Sequence, residues 1–178
     1  MIESLFLRLV AAVTTFPNGK SYLVGFILLF AYTGVALIWG FKADFLKFQP
    51  LTFKTQIARI VFTAFFTPAL LEEIVFRISL LPQPSHNLLH LPWVAIAINV
   101  PIFVAYHPLN ALIFFPQGQK TFFNDTFLSL AGLLGFICII AYWQSGSLWL
   151  PVILHWIVVI TWLVILGGYN RLYTIDTN

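Results

Sequence analysis

The chain has 178 residues, of which 60% are hydrophobic and only 8% are charged. A soluble domain typically has roughly 25% charged residues, so this composition excludes a water-facing globular surface and predicts an integral, multi-pass membrane protein. The formal net charge of +3 is too small to indicate a nucleic-acid partner. The expected surroundings of the chain are the lipid bilayer.

The N-terminal part of the chain predicts an interfacial segment followed by the first membrane span. Residues 1–16 form an amphipathic stretch, interrupted by Arg8, which we expect to lie at the membrane interface. A helical span needs about 20 apolar residues. Residues 22–41 meet this requirement without any charge, and a basic loop follows at 42–59.

Two further spans surround a polar loop. Residues 60–81 form the second span although they include three charged side chains, and the prolines and polar residues of 82–91 predict a loop. The third span covers residues 92–115. Pro108 lies inside this span, and proline lacks a backbone N–H and disfavours helix in the residue before it. We therefore expect the helix to kink or break there.

The C-terminal part contains a fourth span at 125–143 and a fifth at 148–166. Asn124 or Asp125 is the expected N-cap of the fourth span. Together the spans predict an all-α transmembrane helical bundle of about five spans, forming a single membrane-embedded domain over residues 1–178. Tryptophans favour membrane interfaces, and four of them fall near predicted span ends: Trp39, Trp93, Trp143 and Trp149.

The distribution of basic residues predicts the orientation of the bundle. The loop at 42–59 holds four basic residues against one acidic residue, and basic loops stay in the cytoplasm. Five spans then place Lys120 and Arg171 on the same side. The loop at 82–91 is expected on the opposite side.

Two adjacent glutamates inside the second span are the first candidate functional residues. A charge at the bilayer centre costs about 2.5 to 3.5 kcal/mol on insertion scales, so it marks function by default. Glu73 and Arg77 are four residues apart and can form an ion pair. Glu72 and Arg77 lie about 140° apart around a helix, which leaves Glu72 as the candidate general base. The alternative is that both glutamates only pair with basic residues to hold the bundle together.

Two histidines lie inside predicted spans, His107 in the third and His155 in the fifth. Either alone is typical of a packing histidine, but two of them beside Glu72 predict one polar site. At 1.5 Å per residue, Glu72 and His155 lie at similar depths and His107 lies deeper, so tilt or the helix break has to close that gap. The loop histidines, His86 and His90, are expected to be solvated.

Three motifs, in this order along the chain, resemble those of the CPBP family, which comprises CAAX-prenyl-protease-like and bacteriocin-processing intramembrane proteases. The first motif, EExxxR, matches residues 72–77, and the second, FxxxH, matches Phe103 to His107. The third motif is a histidine followed four residues later by asparagine or a similar polar residue. His155 is present, but Val159 stands at the fourth position.

The resemblance implies hydrolysis of a peptide bond inside the membrane, with a membrane protein or a lipidated peptide as substrate. It assigns Glu72 and His107 to the activation of a water molecule that attacks the scissile carbonyl. His155 would stabilise the resulting oxyanion, and Glu73 and Arg77 would hold the geometry of the site. No cofactor is expected for this chemistry.

Val159 departs from the family pattern within the region of resemblance, about residues 60–168. Valine cannot donate a hydrogen bond, and loss of one oxyanion donor costs roughly 100- to 1000-fold in rate. In an active enzyme, Asn99, Asn110 or a backbone amide is expected to supply the donor. Val159 also favours a different class of function, a catalytically silent relative that scaffolds or binds membrane partners. A third alternative is a small proton-coupled transporter that uses the intramembrane glutamate and histidine as a relay.

A metal site is an alternative mechanism for the same residues. Glu72, His107 and His155 form a His2Glu set, which is the ligand set of a catalytic zinc site with an open fourth position. The HExxH helix motif is absent from the chain. Metal-free glutamate catalysis is therefore the leading prediction, with zinc as the alternative.

Overall fold

The computed structural model of the chain describes residues 2–82, 84 and 90–173, and every regular element within them is helical. The predicted all-α membrane bundle is therefore confirmed. The elements in chain order are α1 (Ile2–Thr14), α2 (Gly19–Lys42), α3 (Lys54–Ala64), a π-helical segment (Phe65–Leu70), α4 (Leu71–Glu73), a second π-helical segment (Ile74–Ser79), α5 (Trp93–Ile113), a 3₁₀ turn (Pro116–Gly118), α6 (Gln119–Phe122), α7 (Asp125–Ser145), α8 (Trp149–Val164) and α9 (Gly168–Tyr173).

Three of the described helices, α2, α5 and α7, are long and apolar enough to cross a membrane. They correspond to the first, third and fourth predicted spans. The side chain of Asn124 caps α7 by accepting a hydrogen bond from the backbone N–H of Phe127 at 3.1 Å. The asparagine, and not Asp125, is thus the N-cap. Gly146 ends α7 with a left-handed backbone at φ 66°, which a residue without a side chain adopts at little cost.

The predicted span at 60–81 is not one regular α-helix. The run breaks at Thr67, whose backbone is extended (φ −138°, ψ 110°), and π-helical segments lie on both sides of α4. Pro68 follows Thr67, and proline removes a helical hydrogen bond and pushes the residue before it towards extended backbone. This proline divides the run just ahead of the two glutamates.

Of the kink or break predicted at Pro108, the structure contradicts the break. Helix α5 continues through both Pro101 and Pro108 as far as Ile113. Proline is tolerated inside membrane helices because neighbouring groups and small local adjustments satisfy the backbone carbonyl that it leaves unpaired. His107 therefore stays in helical register with Phe103, one turn earlier.

Helix α7 lies at the centre of the bundle, against α2, α5 and α8. A Cβ atom on Gly135 would come within 2.8 Å of the Phe103 ring, so glycine is needed for the close approach of α7 to α5. Trp143, which lies near a predicted span end, is buried in the protein. Trp39 and Trp93 are exposed at the surface of the bundle.

Helix α8 corresponds to the fifth predicted span and is short, with 16 residues. At 1.5 Å per residue it is about 24 Å long, less than the roughly 30 Å of a hydrocarbon core. An extended segment, residues 47–51, runs beside its C-terminal end. Within this segment, the backbone N–H of Leu51 donates to the carbonyl of Val164 at 2.8 Å.

Helix α1, from the predicted interfacial segment, docks across one end of the bundle. The backbone N–H of Leu148 donates to the carbonyl of Ala12 at 2.9 Å. Nε1 of Trp149 donates to the carbonyl of Val13 at 2.8 Å. Arg8 donates to the carbonyl of Leu81. Helix α1 therefore ties the start of α8 to the end of the run that carries the glutamates.

At the opposite end, the basic segments lie together. Arg171 donates from Nη2 to the carbonyl of Asp44 at 3.0 Å, and Oγ1 of Thr121 lies 3.4 Å from the carbonyl of Arg171. This grouping agrees with the predicted placement of these segments on one side. Most of the predicted loop at 82–91, including His86, lies outside the described residues, and His90 is exposed.

Candidate active site

The charged centre of the site is a buried ion pair within one helical turn. Arg77 donates from Nε to Glu73 Oε2 at 2.6 Å and from Nη2 to Oε1 at 3.2 Å. Both side chains are fully buried. The pair predicted from the four-residue spacing is therefore present, and its two parallel hydrogen bonds fix the orientation of both groups.

Asn99 extends this ion pair to α5. Arg77 donates from Nη1 to Asn99 Oδ1 at 2.8 Å, and Asn99 Nδ2 donates to the carbonyl of Phe76 at 2.7 Å. Asn99 is fully buried and does not line the cavity described below. Its amide is already occupied with the arginine and the backbone, so it is not placed to contact a substrate.

His155 bridges the two glutamates. Its Nδ1 lies 2.9 Å from Glu73 Oε1, and its Nε2 lies 3.9 Å from Glu72 Oε2. An ionised carboxylate only accepts hydrogen bonds, which assigns the proton on this side of the ring to Nδ1. The Nε2 edge faces Glu72. The sequence did not reveal the bond to Glu73, because it joins residues 82 positions apart.

His107 is held by its own helix. Its Nδ1 lies 2.9 Å from the carbonyl of Phe103, and since a carbonyl only accepts, Nδ1 carries the proton and Nε2 is left with a free lone pair. The Phe103 ring packs between the two histidines, with its centroid 5.0 Å from His107 and 6.2 Å from His155. This aromatic contact positions both imidazoles.

The three candidate catalytic residues line one cavity of about 840 Å³. Glu72, His107 and His155 all line it, so the three residues share one cavity despite the depth gap calculated for straight helices. Oε2 of Glu72 is buried and has no hydrogen-bond partner among the described residues. Glu73 and Arg77 do not line the cavity. The ion pair therefore lies behind the site, and Glu72 lies inside it.

Val159 borders the same cavity, one helical turn from His155. Its apolar side chain occupies the position where the family motif has a polar donor. Of the two asparagines that the sequence offered as oxyanion donors, Asn110 lines the cavity and Asn99 does not. The remaining lining is mostly aliphatic and aromatic.

No three His, Cys, Asp or Glu side chains in the described part of the chain lie close enough together to hold one metal ion. Glu72 and His155 approach each other to 3.9 Å, and His107 is held by the Phe103 carbonyl. Zinc binding would require these side chains to move closer together. The zinc alternative stays a prediction for direct metal analysis.

A family model described as type II CAAX prenyl endopeptidase Rce1-like matches residues 54–161, which is more than half of the chain. The chain belongs to the Rce1-like family. The resemblance seen in the three motifs is thereby confirmed, and with it a membrane protein of the CAAX-protease-like class. The matched region begins at the first residue of α3 and contains the adjacent glutamates and the two candidate catalytic histidines, His107 and His155. No curated protein and no solved structure gave a significant match.

Proposed function

We propose that this Rce1-like protein is a multi-pass intramembrane endopeptidase that uses Glu72 as its general base. One observation carries the proposal. Glu72, His107 and His155 line a single cavity, while the neighbouring Glu73 is neutralised by Arg77 outside it. Two adjacent glutamates thus have different surroundings, and only the one inside the cavity keeps a carboxylate oxygen without a partner.

The reaction begins with a water molecule held between Glu72 and Nε2 of His107. Glu72 takes one proton while the water oxygen bonds to the carbonyl carbon of the scissile peptide. The electron pair of the C=O double bond moves onto the oxygen and gives an oxyanion. When the intermediate collapses, the carbonyl re-forms, the C–N bond breaks, and the proton held by Glu72 passes to the leaving amine.

His155 stabilises the oxyanion by donating from Nε2. Since Nδ1 already carries a proton towards Glu73, the ring carries both protons when it donates. In the intermediate Glu72 is protonated and Glu73 is paired with Arg77, so the oxyanion itself balances the positive charge of the imidazolium. Because the donor is fixed in place before the reaction, it needs little reorganisation during the chemical step.

The substrate that best suits the cavity is a membrane protein or a lipidated peptide. Most cavity-lining side chains are apolar, so a lipid-like or transmembrane segment can enter without leaving polar groups unpaired. Among the described residues, Glu72 supplies the one carboxylate of the cavity lining, and His107 and His155 supply its imidazoles; the scissile peptide bond would be placed next to them. The proposed chemistry uses no metal and no other cofactor.

A catalytically silent relative that binds membrane partners is the second candidate function. Val159 favours it, because this apolar residue lines the cavity where the family has a donor. The test is cleavage of a panel of membrane-tethered and prenylated peptides in proteoliposomes, with Glu72→Gln as the blank. Cleavage by the parent above that blank supports the endopeptidase. No cleavage above the blank across the panel supports the silent relative.

A further inference from the structure

The proposed oxyanion site contains one hydrogen-bond donor where the family motif provides two. His155 is the donor that the motifs provide, and Val159 cannot replace the polar residue of the third motif. Asn99 is occupied by Arg77 and by the carbonyl of Phe76. A second donor can come from a backbone amide or from another polar side chain that lines the same cavity.

Tyr106 lies in the right surroundings. It precedes His107 on α5 and lines the same cavity as Glu72. Its hydroxyl makes no hydrogen bond with the described residues. A phenol O–H that reaches a cavity without a protein acceptor is free to donate to a substrate.

The Tyr106 ring is also held in place. Its centroid lies 5.5 Å from that of Phe76 and 5.7 Å from that of His107, both in edge-on contacts. Phe76 is buried and precedes Arg77 in the second π-helical segment. The segment that carries the two glutamates, residues 71–79, is called the glutamate run here. The contacts that hold it against α5 therefore also fix the direction of the phenol.

Trp162 on α8 also lines the cavity, and its Nε1 is buried without a hydrogen-bond partner among the described residues. On α5 the competing donor is Asn110. It lies one turn beyond His107, towards the end of α5 where Phe114 and Phe115 line the cavity. Asn99, on the other side of His107, contacts the Phe76 carbonyl and Arg77, which places the earlier part of α5 next to the glutamate run. Tyr106 is nearer to that part than Asn110.

We propose that Tyr106 is a catalytic residue whose hydroxyl donates the second hydrogen bond to the oxyanion. It takes the place of the polar side chain that the family motif has at the position of Val159. The inference rests on the proposed endopeptidase function. Tyr106 keeps its proton throughout, and no bond to its oxygen forms or breaks. The oxyanion thus receives one hydrogen bond from His155 and one from Tyr106.

The test compares Tyr106→Phe with the parent on a peptide that the parent cleaves. Phenylalanine keeps the ring contacts and removes only the hydroxyl. We expect kcat to fall by roughly 100- to 1000-fold, with KM within about threefold because a donor specific to the transition state adds little to ground-state binding. The matched control is Tyr22→Phe, which removes an exposed hydroxyl on α2 away from the cavity.

A rescue experiment distinguishes a hydroxyl that donates a hydrogen bond to the oxyanion from a hydroxyl that only stabilises the structure. In the Tyr106→Phe protein, adding Val159→Asn should raise kcat at least tenfold, since asparagine restores a donor on the His155 side of the cavity. In the parent, where Tyr106 already supplies the donor, the same substitution should raise kcat by a smaller factor than in the Tyr106→Phe protein. Absence of rescue, or a Tyr106→Phe protein within threefold of the parent in kcat, overturns the inference and leaves the endopeptidase intact. A parent no more active than Glu72→Gln overturns both.

Discussion

Nδ1 of His155 lies 2.9 Å from Oε1 of Glu73, and this contact joins α8 to the glutamate run across most of the matched region. Glu73 therefore serves two partners, the imidazole of His155 and the guanidinium of Arg77. A change at Glu73 disturbs both the buried charge balance and the orientation of His155. The adjacent Glu72 has neither bond, which separates the effects expected from the two glutamates.

Disrupting the ion pair should destabilise the protein. Glu73→Gln or Arg77→Ala leaves its partner as a buried charge without compensation, and we expect a loss of about 3 to 5 kcal/mol. The measurement is the yield of monodisperse detergent-solubilised protein together with its thermal midpoint. Asp125→Asn is the matched control, because Asp125 is exposed at the start of α7. Wild-type stability in both variants would contradict the structural role of the pair.

Asn99 should support the ion pair and make no contact with substrate. Asn99→Leu removes the acceptor of Arg77 and the donor to the Phe76 carbonyl, so we expect a loss of about 1 to 3 kcal/mol for each group left unsatisfied. Asn110→Leu is the comparison, since Asn110 is only partly buried. Equal thermal midpoints for the two leucine variants would argue against the hydrogen-bond chain.

Chelation should leave the enzyme active. The proposed reaction uses Glu72 and the histidines without a metal, so exhaustive treatment with a chelator should not change the rate, and the purified protein should hold no stoichiometric zinc. The measurement is the zinc content per chain, determined by elemental analysis of the parent and of His107→Ala. About one zinc per chain in the parent, lost in the variant, would establish the zinc alternative.

Impermeant thiol labelling tests the orientation. In a Cys138→Ala background, Thr52→Cys should react only from the cytoplasmic side and His90→Cys only from the opposite side, because basic loops stay inside. Both positions are exposed. Cys138 is the one cysteine of the sequence, so the Cys138→Ala background contains no other thiol that could be labelled. The reverse labelling pattern would invert the proposed topology.

Local spacing predicted part of this site. The four-residue separation of Glu73 and Arg77 was sufficient to predict their ion pair, since neighbours on one helix face depend on local geometry. The same calculation left Glu72 without the arginine, as the structure shows. The partner at His155 could not be predicted, because it depends on how α8 packs against the glutamate run.

The two prolines show where local rules fail. Pro68 and Pro108 both lack a backbone N–H, yet the chain breaks at Thr67 and stays helical through Pro108. The outcome depends on whether the neighbouring elements satisfy the backbone groups that each proline leaves unpaired. Asn99 illustrates the same limit: the sequence offered it as a candidate oxyanion donor, but packing places its amide against Arg77 and the carbonyl of Phe76.

The most direct measurement compares the parent with Glu72→Gln on one cleavable peptide in proteoliposomes, under single-turnover conditions. Glutamine keeps the shape of the side chain and removes the base. We expect the parent to release two fragments and the variant to be slower by at least about 100-fold, with equal yield and thermal midpoint. Cleavage by Glu72→Gln at the parental rate would contradict the assignment of Glu72 as the base.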